Sequence, residues 1–318
     1  MARLCTTWLA VVGAAIIATV ASPGPVAADE AKLEHLGLEL IGNLEAAGGD
    51  LAAARAVVLI VHDSLSIHGA DGPRALQAAL TAQRVPSLAI TLSLGIDARR
   101  KPFDCTFEHD HRDSDAAQEI AAWVQWLVGQ GARGVVLAGE GRGALQVALP
   151  PPQPDTDSDA AAKPVTGLPL RGLVLIAPAP SDASSRAADY SSRFGSDLAQ
   201  VLAEAHRVGR DSGEDTTIDV PGFLGCPRAR VTAGAFLDTY DPERAPDLVR
   251  LVRARGAPVL AFLPAADSRR ATLAAASPLA GGATLRIEML STDPAGADVM
   301  REPGTAGRIV AFVGQLPP

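Results

Sequence analysis

The sequence predicts an α/β fold: a doubly wound, mostly parallel sheet with helices on both faces. Three observations carry this reading. Short uninterrupted apolar runs recur along the chain, the pattern of strands buried on both faces. Between them lie segments with apolar residues at helical spacing, which pack such a sheet from either side. One junction, Gly139-Glu140-Gly141-Arg142-Gly143, has the composition of a tight turn between strand and helix.

Ala56-Val57-Val58-Leu59-Ile60-Val61 is the first buried strand, ending at His62-Asp63-Ser64, where a loop leaves the sheet. Pro73 to Ala82 reads as a helix, with proline in its first turn and Leu76, Ala79 and Leu80 on one face. Ser87 to Thr91 is the next strand, and Gly95 to Asp113 a long polar loop. Asp115 to Val128 is a second helix, presenting Ile120, Trp123, Val124 and Leu127 to the sheet. Val135 to Ala138 leads into the glycine-rich junction, and Ala144 to Ala148 continues it as a helix. Residues 150–169 form a low-complexity insertion, proline-rich and then acidic, expected to lie extended at the surface. The sheet resumes at Gly172 to Ala177. A polar helical segment from Ser181 to about Arg210 and a less regular stretch to about Arg255 follow, so that 181–256 would form a cap-like insertion. Pro258 to Leu263 and Thr284 to Leu290 read as the last strands, and Ala306 to Val313 as the closing helix.

Composition narrows the classes of function. Arg3, an apolar stretch from Trp8 to Val20 and a small-residue end at Val26-Ala27-Ala28 fit a secretory signal peptide over residues 1–28. The apolar stretch is shorter than the roughly 20 residues of a membrane-spanning helix. The expectation is an exported protein, periplasmic or extracellular, with a single domain over 29–318 and no membrane span after cleavage. Removing residues 1–28 deletes one cation and no acid, taking the formal net charge from −8 to −9. An acidic chain with no basic block argues against nucleic acid and anionic lipid as partners. Cys105 and Cys226 remain after cleavage; in an oxidising compartment they would pair, with two buried free thiols as the alternative.

The glycine-rich junction has the setting of the G-x-S-x-G nucleophile elbow, but its central residue is Gly141. Glycine has no side chain to attack a carbonyl, so ordinary acyl-enzyme chemistry cannot start there. From Ala56 onward the chain resembles bacterial α/β-hydrolase-fold proteins of the dienelactone-hydrolase and serine-hydrolase type. It is most similar to an exported subgroup through Leu92-Ser93-Leu94-Gly95-Ile96-Asp97, Phe103-Asp104-Cys105, His109-Asp110-His111 and Leu224-Gly225-Cys226-Pro227. The last of these resembles the subgroup's second cysteine site and so supports a Cys105–Cys226 bridge.

The resemblance also implies where catalytic groups would stand. A His-Gly pair would open the oxyanion loop; here the pair is His62-Asp63, and the carboxylate would oppose a nearby anion. The triad acid would follow the penultimate strand, where Asp267 lies in Pro264-Ala265-Ala266-Asp267-Ser268. The histidine would follow the last strand, but no histidine occurs after His206, and residues 291–298 supply Asp293 and Asp298 instead. The resemblance thus implies a hydrolase scaffold without its nucleophile and base.

The remaining motifs admit other chemistry. His109 and His111, with Cys105 and Asp115 nearby, are the candidate metal ligands, but the histidine pair a metallohydrolase site adds downstream is missing. Polar packing of this loop at the mouth of the site is the alternative. Ser64 is a candidate displaced nucleophile or an ordinary turn residue. Glu140 and Arg142 could face a ligand or hydrogen-bond locally. The expected pocket therefore gathers His62, Asp63, Ser64, Glu140, Gly141, Arg142 and Asp267, with no cofactor. Its occupant would be a small molecule or a protein partner. The alternative is an esterase-like hydrolase that works through non-standard or metal-assisted residues.

Overall fold

The computed structural model describes residues 29–150, 169–265, 267–290 and 299–316. The expected signal segment, most of the low-complexity insertion and residues 291–298 lie outside the described residues.

The chain opens with β1 (Asp29–His35) and β2 (Leu38–Glu45), an antiparallel hairpin turned at Leu36-Gly37. Both turn residues have positive φ, as a two-residue hairpin turn matched to strand twist requires. Nothing in the apolar pattern of the sequence marks this hairpin. Then come β3 (Val57–Val61), α1 (Asp71–Ala82), β4 (Ser87–Thr91), a two-residue β5 (Glu108–His109), α2 (Asp113–Gly129), β6 (Val135–Glu140), α3 (Arg142–Ala148) and β7 (Leu170–Ile176). The chain next leaves the sheet for α4 (Ala183–Phe194), α5 (Leu198–Ser212), β8 (Thr217–Phe223), β9 (Cys226–Thr232), α6 (Ala233–Tyr240) and α7 (Leu248–Ala254). It returns as β10 (Val259–Leu263), α8 (Arg269–Ala274), β11 (Leu285–Met289) and α9 (Pro303–Gln315).

The main sheet has the order β1-β2-β4-β3-β6-β7-β10-β11. β2 runs antiparallel to both its neighbours, and every pairing from β4 to β11 is parallel. The strands β3, β4 and β10 are buried at every residue because both faces of the sheet are covered. Alternate residues divide between two cores. Val57, Leu59 and Val61 face Trp123 and Leu127 of α2 and the apolar side of the later insertion. Val58 and Ile60 face Leu76 and Leu80 of α1 and Ile309, Phe312 and Val313 of α9.

Two readings of the sequence need correction. The polar loop over 95–113 is not wholly irregular: β5 pairs in parallel with β9, making a second, three-stranded sheet β5-β9-β8. The stretch expected to be irregular after Arg210 is a β-hairpin followed by two helices. Its strands alternate, with Ile218, Val220 and Gly222 buried and Asp219 and Pro221 exposed. The helical segment before it is broken in two at Gly195, which ends α4 in the left-handed conformation.

Aspartates cap three of this insertion's helices, α4, α5 and α7: Asp182 accepts from Ser185 N at 2.9 Å, Asp197 from Ala199 N at 2.9 Å and Asp247 from Arg250 N at 2.8 Å. Its interior is aromatic, with Tyr190 5.1 Å from Tyr240 and Phe236 5.0 Å from Tyr240 between ring centroids. A disulfide joins Cys105 to Cys226, tying the start of β9 to the loop that carries β5.

Candidate functional site

The elbow is built by close packing. A Cβ on Gly139 would collide with the backbone of Gly143, and one on Gly143 would collide with the His62 carbonyl oxygen. This proximity lets α3 leave directly from the end of β6. Gly141, at the bend, has φ 56° and ψ −118°, a conformation costly for any residue with a side chain. Its N–H donates to Ile176 O at 3.0 Å, and its carbonyl accepts from Ala179 N at 2.9 Å, so the bend is held from β7 and the loop after it.

The Asp63 carboxylate occupies the space where a side chain on Gly141 would begin; a Cβ built there would fall on its Oδ1 and lie 2.8 Å from its Oδ2. Asp63 Oδ1 accepts from Arg142 N at 2.7 Å, from Ser64 N at 2.8 Å and from Ser64 Oγ at 3.1 Å. The Arg142 N–H follows the elbow residue directly, which in this type of turn is an oxyanion-hole donor. Here the chain's own anion takes it. Ser64 spends its proton on the same carboxylate, the opposite of the arrangement that activates a hydroxyl, in which the carboxylate orients a base between them.

His62 was expected to line the pocket; the structure buries it beneath the elbow loop instead. Its Nδ1 donates to Asp63 O at 3.0 Å and its Nε2 accepts from Leu92 N at 3.2 Å, with Arg99 Nη2 3.4 Å away. Burial, and then the Arg99 charge, push its pKa down to about 3, so it is neutral at ordinary pH. Arg99 is itself a buried staple, donating to the carbonyls of Leu92, Leu65, Lys101 and Ser66. Burial lowers its pKa to about 10, which leaves it charged.

Asp267 follows β10, and it is taken by a neighbour. Arg269 Nε reaches Oδ1 at 3.0 Å and Nη2 reaches Oδ2 at 2.7 Å, while the Arg269 N–H also bonds Oδ1 at 2.9 Å. The same guanidinium donates to Ala179 O and Pro178 O at 2.7 and 2.8 Å, fastening this loop to the exit of β7. Arg142 turns away from solvent: its Nη2 pairs with Asp113 Oδ2 at 2.9 Å and donates to Thr239 Oγ1 at 3.0 Å. Gln146 holds the other Asp113 oxygen at 3.1 Å. Glu140, the last residue of β6, is half-buried.

The candidate metal loop has other uses. His111 Nε2 lies 3.2 Å from Glu119 Oε1, and Ser93 donates to Glu119 through both N–H and Oγ, at 2.8 and 2.5 Å. Burial opposes the charge on Glu119, but these hydrogen bonds outweigh it and hold its pKa below the ordinary value. His109 is buried between the rings of Phe103 and Phe223, at 5.1 and 4.8 Å, rather than held by polar contacts. Burial first, then the charge of His111, pushes its pKa down to about 3. Asp115, the other acid near this loop, accepts from Arg112 N at 2.7 Å as part of the start of α2. Among the described residues, no group of three or more His, Cys, Asp or Glu side chains gathers to hold a metal ion.

Between the elbow and the insertion after β7 lies a cleft of about 60 Å³. Ser64, Arg142 and Leu145 form its floor, Arg186, Asp189 and Arg193 of α4 one wall, and Leu224, Thr239, Tyr240 and Pro246 the other. Of the residues expected to line a pocket, Ser64 and Arg142 reach this cleft. Arg186, Arg193 and Tyr240 were not foreseen; α4 reads only as a polar helix, and its pattern does not show which face is covered.

No protein-family model matches the chain, and no curated protein matches it in sequence. Solved structures do. The ferulic-acid-bound Est1E of Butyrivibrio proteoclasticus superposes with a TM-score of 0.58 at 14% identity, over 90% of this chain and 100% of that one. An esterase of Pyrococcus furiosus gives 0.55 at 12% identity, over 91% and 90%. A monoacylglycerol lipase of Paleococcus ferrophilus gives 0.52 at 16%, over 87% and 98%. The protein has the α/β-hydrolase fold: eight strands in the order above with the second antiparallel, an elbow after the fifth strand of the main sheet in chain order, and an insertion after the sixth. At these identities the likeness speaks for the fold alone.

Proposed function

We propose that this chain is a non-catalytic member of the α/β-hydrolase fold, exported to an oxidising compartment, whose elbow region serves binding rather than acyl transfer. The observation that carries this reading is the pairing of Gly141 with Asp63. The position that would present a nucleophile has no side chain, and a carboxylate both fills that space and accepts the Arg142 N–H. An acyl intermediate would need that donor for its own oxyanion. Two further facts support it. No histidine follows His206 in the sequence, and Asp267 is engaged by Arg269 instead of awaiting an imidazole. The Cys105–Cys226 disulfide and the signal-like residues 1–28 support export. Fold does not dictate activity, so likeness to esterases and a lipase does not weigh against this reading.

A fluorophosphonate probe, which reacts with activated serines, tests it on the purified protein. The expected outcome is no labelling above a denatured control. Stoichiometric labelling that disappears in Ser64→Ala would identify a displaced nucleophile and overturn the reading.

A further inference from the structure

Arg186 is the one basic side chain of the cleft whose charge is not matched locally. Arg142 pairs with Asp113 at 2.9 Å, and Arg193 with Asp189 at 3.4 Å. Arg186 has no carboxylate within ion-pair distance among the described residues, although only 5% of it is exposed. Its Nη2 donates to two carbonyl oxygens, those of Ser181 and Pro246, and its Nη1 is buried with no hydrogen-bond partner among the described residues. The carboxylates of Asp247 and Asp182 act on it only from a distance, because each is turned to the N-terminus of its own helix. A buried guanidinium in this condition is expensive, and native structures seldom leave one without a counter-group.

The rest of the cleft fits an acceptor-rich ligand with a short apolar part. The Tyr240 hydroxyl accepts from Leu224 N at 2.9 Å, which leaves its own proton to donate. Leu145, Leu224 and Pro246 supply an apolar lining. The volume, about 60 Å³, suits a few waters or one small carboxylate group, not a drug-sized molecule. A carboxylate matches a guanidinium's donor geometry, which a spherical halide does not.

We propose that the cleft under the insertion binds a small monocarboxylate, with its carboxylate on Arg186 and its short tail against Leu145 and Leu224. This names a ligand class for the non-catalytic site and rests on that reading for its purpose, though not for its measurement.

The test is calorimetric titration of the purified full chain with sodium acetate and sodium butyrate, at ionic strength matched with sodium chloride. Saturable binding of a carboxylate against the chloride background is expected. Arg186→Met should weaken it by more than about 10-fold, and Arg193→Gln, at the exposed pair, by less than about 3-fold. If Arg186→Met does not fold, NMR of the arginine side chains in the wild type reads the same contact, with the Arg186 signal assigned through Arg186→Lys. Acetate or butyrate should move that signal. No saturable carboxylate binding up to about 10 mM, or binding that Arg186→Met leaves intact, overturns the proposal. Ester turnover would overturn the non-catalytic reading instead, so the two failures are distinguishable.

Discussion

The elbow and the cleft above it are neighbours that treat their polar groups in opposite ways. At the elbow, the Arg142 N–H, the Ser64 N–H and hydroxyl, the His62 ring nitrogens and the Asp267 carboxylate all have partners within the chain. In the cleft, Arg186 keeps a buried donor with no partner among the described residues. Buried polar groups are ordinarily satisfied, and it is on this contrast that the proposed reading places a ligand at the cleft rather than at the elbow. On the proposed reading the scaffold is kept without its chemistry: the sheet, elbow and insertion make a cleft, while the polar groups around the bend bond to one another.

The largest expected effect comes from untying the insertion that walls the cleft. The disulfide spans a sequence separation of 121 residues and anchors β9 to the β5 loop. Replacing both cysteines with serine should cost about 3–5 kcal/mol in urea denaturation of the purified, disulfide-bonded protein, if the bridge constrains the unfolded chain as expected. A cost below about 1 kcal/mol would mean the β5–β9 pairing and the ring contacts of His109 hold the insertion unaided.

Next in size is the elbow itself. Gly141→Ser places a side chain on the Asp63 carboxylate at a positive φ and should destabilise by about 3 kcal/mol. Adding Asp63→Gly should recover part of that loss, with a coupling of at least about 1 kcal/mol. Additive behaviour would show that the carboxylate and the missing side chain are not competing for one space.

Acid should probe both the elbow and the packing under the insertion, since each holds a buried neutral histidine: His62 under the elbow and His109 between Phe103 and Phe223. Both have folded pKa values of about 3, against 6.5 for an unperturbed ring. The unfolded chain therefore binds more protons between these values. The contribution to stability is fully present above pH 6.5 and is lost as pH falls towards 3, by at most about 1.4 kcal/mol per pH unit for each histidine. His109→Phe should flatten the stability profile measured from pH 7 to 4; an unchanged slope would mean that His109 is not buried neutral. The smallest effect is expected at the rim of the cleft. Arg193→Gln removes a half-exposed pair within one helix and should change stability by less than about 0.5 kcal/mol.

Most strands that sequence made legible are buried on both faces, the edge strand β11 being the exception. Val57–Val61 and Val259–Leu263 are continuous apolar runs and Ser87–Thr91 has one between its polar ends, whichever way each residue points. The strands it hid lie in the N-terminal hairpin at one side of the main sheet or in the small second sheet, where burial is partial. Asp29–His35 interleaves Ala31 and Leu33 with Glu30, Lys32 and Glu34, and Thr217–Phe223 interleaves Ile218 and Val220 with Asp219 and Pro221. Charged and turn-like residues there dilute the period-two signal. The glycine frame of the elbow was readable because close approach demands glycine. That Asp63 would fill the space over Gly141 was not, since the two are 78 residues apart and only the parallel pairing of β3 with β6 brings them together. Arg186 was hidden for a similar reason: nothing in a polar helix marks which arginine the neighbouring loop will cover.

The central claim is that the bend after β6 has been closed by the chain's own carboxylate and no longer supports acyl transfer. Side-by-side hydrolysis of an ester panel of increasing acyl length, by the wild type and Asp267→Ala with and without chelator, tests it most directly. The account predicts no turnover above background for either protein under any condition. Turnover by the wild type that Asp267→Ala abolishes would contradict it and show a working acid after β10, and turnover that chelator abolishes would contradict it in favour of a metal.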